Sequence, residues 1–147
     1  LFEKKISKLE KKILQDFKIR SQWIPALYEL SKPYFSKHSE IFKEVLSLRK
    51  VAFQEHAEGK SLYKSLQTET KIHKELNFIF QVCKKHPHLY KNGNYLYIEE
   101  HLLHVSFEIG KNLKIYKKVS KFYNTLLIIK NVTLIWIILP FSKKDTL

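Results

Sequence analysis

Residues 95–126, YLYIEEHLLHVSFEIGKNLKIYKKVSKFYNTL, carry the longest regular pattern in the chain. Tyr95, Ile98, Leu102, Val105, Ile109, Asn112, Tyr116, Val119, Tyr123 and Leu126 recur at steps of three and four, the spacing that returns side chains to one face of an α-helix. A near-heptad stripe of this length predicts one helix spanning a bundle from end to end. Gly110 falls inside it, which costs about 1 kcal/mol against alanine and suits the close approach of a neighbouring helix.

Upstream of that stretch the pattern repeats in shorter units. Leu62, Leu66, Ile72, Leu76, Ile79 or Phe80, and Cys83 form a stripe that stops before Pro87, since the residue before a proline is driven out of helical backbone. Glu58-Gly59-Lys60-Ser61 precedes it as a loop, with Gly59 placed to cap one helix and Ser61 to cap the next. Residues 86–93 form a short reversing linker. Further upstream, Leu27, Tyr34, Ile41, Val45, Leu48 and Ala52 mark a helix that opens at Pro25, with a turn over Gln22 to Ile24 and with Pro33 kinking or splitting it around Ser31 to Phe35, a kink being the expectation. Phe2, Ile6, Leu9, Ile13 and Phe17 give the first helix, over residues 1–20.

Four amphipathic segments joined by short connections predict an all-α fold, an antiparallel up-and-down four-helix bundle over residues 1–131. Residues 132–147 are set apart as an apolar tail. The run from Leu126 to Phe141 is interrupted by Lys130 and Asn131 and closes at Pro140, short of the roughly 20 residues that cross a bilayer. It is expected to supply the last turns of the fourth helix and then fold over the bundle end, the alternative being contact with a membrane or partner.

Composition agrees. The chain has 147 residues, 44% apolar, with three glycines and four prolines, enough for one domain with its own core. Cys83 is the single cysteine, which excludes an internal disulfide and a multi-cysteine zinc site. On an apolar stripe its thiol is expected to pack rather than react. The three glycines are too far apart to cradle a phosphate.

Net charge is +13, yet only Arg20 and Arg49 are arginines among 27 basic residues. Lysine is a flexible point charge without the planar fork that reads base edges, so sequence-specific nucleic-acid binding is not expected. The lysines are spread from Lys4 to Lys144 and read as solvated helix faces, with diffuse attraction to an anionic surface as the alternative. There is no methionine, and charges through residues 1–20 leave no signal-peptide pattern.

Two stretches then resemble a known family. Arg20, Ile24, Pro25, Leu27, Glu29, Lys32, Tyr34, Glu40, Phe42, Glu44 and Val45 fall in register with the first signature segment of the LemA family, a bacterial group of membrane-anchored helical bundles. Pro87, Leu89, Asn94, Tyr95, Leu96, Leu102, Tyr116, Val119, Tyr123, Asn124 and Thr125 are similar to the second. Trp23, Ala26, Pro33 and His86 stand where the family usually has Leu, Asn, Gly and Tyr. The resemblance implies an anchor helix upstream of residue 1, a bacterial membrane location of unspecified side, an unidentified protein partner, and no catalytic reaction, metal or cofactor. The motif residues are read as structural: Pro25 sets a turn, while Tyr116, Tyr123 and Asn124 pack or cap.

One chemical alternative stands beside this. Glu100, His104 and Glu108 lie at four-residue steps on one helix, and Glu69 with His73 make a similar pair on another. Turned inward together, Glu69, His73, Glu100 and His104 would make a metal-binding or hydrolytic site between helices three and four. Glu100 to Glu108 lie on the flank of the apolar stripe, however, where ion pairs four residues apart are ordinary.

Overall fold

The first helix, α1, runs Phe2–Ser31 with Pro25 inside it; the structure is a computed structural model that describes residues 2–37, 39–59, 61–120, 129–133 and 135–136. The turn expected over Gln22 to Ile24 does not form. Proline removes the N–H that would pair with the carbonyl four residues back, here that of Ser21, and Arg49 Nε donates to that carbonyl at 2.8 Å instead. The helix therefore continues through Pro25.

The reversal comes at the next proline. Pro33 lies at the start of a 3₁₀ turn, Lys32–Tyr34, closed by Phe35 N–H on the Lys32 carbonyl at 3.1 Å. A kinked, continuous helix was expected here; the chain instead breaks, and α2 occupies Ser39–Ala57. The break lets Phe35 and Phe42 bury edge to face, with ring centroids 4.7 Å apart, a favoured aromatic geometry.

Gly59, at φ 68°, lies in the connection out of α2, in a left-handed conformation that glycine adopts without strain. Helix α3 spans Leu62–Cys83, and Ser61 precedes it in extended backbone, offering its carbonyl rather than its hydroxyl to the first turn. The linker after Cys83 holds one helical turn, α4, Pro87–Tyr90, with Pro87 in its first turn. The last long helix, α5, runs Gly93–Val119, and Asn92 Oδ1 caps it by accepting from the N–H groups of Asn94 and Tyr95. It ends earlier than the Leu126 expected from the stripe, because Ser120 takes up extended backbone. Tyr123, Asn124 and Leu126 lie outside the described residues.

Helix α1 packs most extensively against α5, and α2 against α3. Tyr116 on α5 reaches Glu10 on α1, and Trp23 meets Tyr97 and His101, so these two helices are antiparallel. Among the described residues there are no strands, and the fold is an all-α bundle. Residues 129–133 and 135–136 are helical too, and Ile129, Val132, Thr133 and Trp136 are buried. Helical backbone thus continues past the boundary drawn at residue 131. Trp136 Cβ stands 3.9 Å from where a Cβ at Gly110 would lie, so the helical neighbour arrives there but leaves room for a methyl.

The core divides in two. One cluster gathers Ile24, Leu27, Phe42, Ile72, Leu76, Cys83, Tyr95 and Leu102. The other gathers Ile13, Phe17, Leu62, Leu66, Val105, Ile109, Leu113 and Trp136. In α1 the second ends at Phe17 and the first begins at Ile24; in α3 the division falls between Leu66 and Ile72.

Candidate functional site: a polar layer between two apolar clusters

At that division stand Arg20 and Glu69, both fully buried. Arg20 Nη2 donates to Glu69 Oε2 at 2.5 Å and to the Glu69 backbone carbonyl at 2.9 Å. One arginine thus ties α1 to α3 by side chain and main chain together. Burial pulls the guanidinium below its ordinary pKa, and Glu69 opposes the shift through its charge and hydrogen bond; arginine stays cationic in proteins regardless.

Aromatic faces cover the rest of the cation. Arg20 Cζ lies 4.9 Å from the Trp136 ring and 5.7 Å from that of Phe17, within cation–π range, while among the described residues its Nε and Nη1 have no hydrogen-bond partner. Trp136 also stacks on His73, with ring centroids 3.6 Å apart. From α2, His56 Nε2 stands 3.5 Å from Glu69 Oε1. That is ion-pair distance for a protonated imidazole and too long for a good hydrogen bond. Beside this layer, Thr68 Oγ1 donates to Glu55 Oε1 at 2.7 Å across α2 and α3.

Two further buried polar links lie along α5. Tyr95 Oη donates to Glu99 Oε2 at 2.8 Å, and Cys83 shares this environment, its thiol pushed up to about 12, first by burial. Burial, with Cys83 and Glu99 adding to it, also raises the Tyr95 phenol. At the far end Tyr116 Oη donates to Glu10 Oε1 at 2.6 Å, and burial followed by that contact raises its pKa. A thiol and phenols held protonated are poor nucleophiles and bases. Their chemistry here is hydrogen bonding within and between helices.

The four residues of the metal alternative do not converge. Glu69 and His73 are buried, whereas Glu100 and His104 are exposed on the outer face of α5. Glu108 pairs with Lys111 at 3.1 Å, the short-range pairing expected on a stripe's flank. Among the described residues no cluster of three or more His, Cys, Asp or Glu side chains is placed to hold a metal ion.

The motif residues distribute through the fold. Arg20 carries the central ion pair, and Ile24, Leu27, Phe42 and Leu89 are core. Tyr34 lies with its ring centroid 5.2 Å from that of His86, beside Pro87. Pro25, expected to set a turn, sits within α1 because Arg49 satisfies the carbonyl it frees. Sequence reading did not link Arg20 with Glu69, Arg49 with Ser21, or Trp136 with either apolar cluster; each pairs residues far apart in the chain.

The outer face of α5 carries exposed apolar side chains: Tyr97 at 57%, Phe107 at 66% and Ile115 at 44%. Among the described residues no helix is long and apolar enough to cross a membrane. The sequence pattern of the LemA family matches residues 9–146. No curated protein matches the chain.

Proposed function

The chain belongs to the LemA family, and on that premise we propose that it is a non-enzymatic helical bundle, held at the bacterial membrane by an anchor helix preceding residue 1 and serving there as a scaffold or interaction module for a protein partner. The observation that carries this reading is where the reactive side chains lie. Arg20, Glu69, Cys83, Tyr95 and Glu99 are buried and engaged with neighbouring groups, where they join helices, while Tyr97 and Phe107 stand in solvent on α5. A surface of that kind suits recognition. The interior suits a rigid support for it.

Fractionation of cells producing the full-length protein tests the proposal. The protein is expected in the membrane fraction and to stay there through an alkaline carbonate wash that strips peripheral proteins. Recovery in the soluble fraction, or stoichiometric transition metal in the purified protein by elemental analysis, would overturn it.

A further inference from the structure

Lysines scattered along the sequence meet at one end of the bundle. Because α1 and α5 are antiparallel and Tyr116 is bonded to Glu10, the first turns of α1 and the last turns of α5 lie at the same end of the bundle. Five lysines of α1, from Lys4 to Lys12, and four of α5, from Lys111 to Lys118, stand there against two carboxylates, Glu3 and Glu10. Eight of these lysines are exposed and Lys117 is half-buried. Glu10 is already engaged by Tyr116. With Asp16 and Glu108, which pair with Lys12 and Lys111, nine lysines stand against four carboxylates on these two helix ends, an excess of five positive charges out of the chain's net +13.

Apolar side chains stand among these cations. Phe107, Lys111, Lys114 and Lys118 follow one another at helical intervals on the outer face of α5, with Ile115 beside them, and Phe107 is 66% exposed. Two of these lysines are already paired, Lys111 with Glu108 and Lys12 with Asp16; the other seven lie among Phe107 and Ile115 at this end. An aromatic and an aliphatic side chain in solvent, ringed by flexible lysines, match the boundary of a bilayer, where apolar groups enter the headgroup layer and cations gain from negative lipids. A nucleic acid read by its sequence would be met through arginine forks, and a single strand through stacking platforms. Both arginines of this chain are instead turned to internal contacts.

We propose that this face docks on an anionic lipid bilayer, with Phe107 and Ile115 set into the headgroup layer and the lysines of α1 and α5 over the negative headgroups. The docking deepens the membrane reading above but does not depend on the anchor, so it is tested on this chain without one.

The experiment is co-sedimentation with vesicles of phosphatidylcholine alone and with phosphatidylglycerol added, at low and high salt, beside duplex DNA as a competing polyanion. Partition onto the anionic vesicles is expected to be at least about tenfold stronger than onto phosphatidylcholine and to fall away at about 0.5 M salt. Phe107→Ser with Ile115→Ser, and separately Lys114→Ala with Lys118→Ala, should each lower that partition about tenfold while cooperative thermal unfolding is kept. Equal binding to both vesicle types would overturn the proposal, as would apolar substitutions without effect on partition. Lysine substitutions that weaken DNA binding and leave vesicle binding unchanged would assign the face to nucleic acid and overturn it too. Failure here leaves the carbonate-wash test of the anchor untouched.

Discussion

Arg49 on α2 donates its Nε hydrogen to the Ser21 carbonyl on α1 at 2.8 Å, the carbonyl that Pro25 leaves without its helical partner. A helix that a proline would ordinarily end is kept whole by a side chain from its neighbour, and the same bond fixes the distance between α1 and α2.

Replacing Arg49 with alanine should therefore destabilise the fold by about 1.5–3 kcal/mol, the range for hydrogen bonds to charged groups. In a Pro25→Ala background the restored N–H reaches the Ser21 carbonyl, and the cost of losing Arg49 should shrink by about 1 kcal/mol. Urea unfolding of the four proteins of this cycle measures the coupling; a cost unaffected by Pro25→Ala would show that the bond does not compensate for the proline.

Gly110 is exchangeable on the geometry of its surroundings, since an added Cβ meets Trp136 only at ordinary contact distance. Gly110→Ala is expected to stabilise the protein by about 0.5–1 kcal/mol. Thermal unfolding reads the sign directly, and a lowered midpoint would mean that α5 and the helical residues 129–133 and 135–136 leave no room for a methyl group at this crossing.

Trp136 is 7% exposed and touches both Arg20 and His73. Its truncation to alanine should cost about 3–5 kcal/mol, whereas the same change at half-buried Trp23 should cost less. A neutral Trp136→Ala, by chemical denaturation, would place Trp136 and its helical neighbours at 129–133 outside the cooperative core.

Cys83 gives the fold a pH dependence with a definite sign. Its thiol pKa is raised from 9.0 to about 12 in the folded chain, so the native state keeps the proton that the unfolded chain releases. Stability from this group is complete below pH 9.0 and is lost as pH rises from there toward about 12. Denaturant midpoints should fall across the alkaline range, and Cys83→Ala should flatten the decline between about pH 8.5 and 10, before the tyrosines titrate. Below that window native Cys83, fully buried, should react with a thiol reagent only as fast as the protein opens.

The periodic stripes carried the helices well. Leu62 to Cys83 is a helix with the bounds its spacing indicates, and the long pattern from Tyr95 is α5. The two signature segments likewise pointed to the family that matches nearly the whole chain. Pro25 misled because its compensating donor is 28 residues away, and no local rule sees that distance. Arg20 read as a motif residue and Glu69 as a metal candidate; their pairing across 49 residues exists only once α1 lies on α3. Charge behaved the same way, since the lysines of residues 4–12 and of residues 111–118 share one end of the bundle only because α1 and α5 run antiparallel.

The polar layer at the waist of the bundle ties helices together through Arg20 and Glu69. A double-mutant cycle on Arg20 and Glu69, read by equilibrium unfolding, tests it most directly. Glu69→Leu alone should cost about 3–5 kcal/mol, because it strands a buried guanidinium, whereas Arg20→Met combined with Glu69→Leu should recover most of that loss, as apolar replacement of buried ion pairs does elsewhere. If the combined substitution loses as much as the two single ones added together, Arg20 and Glu69 do not work as a pair and the account of this layer is wrong.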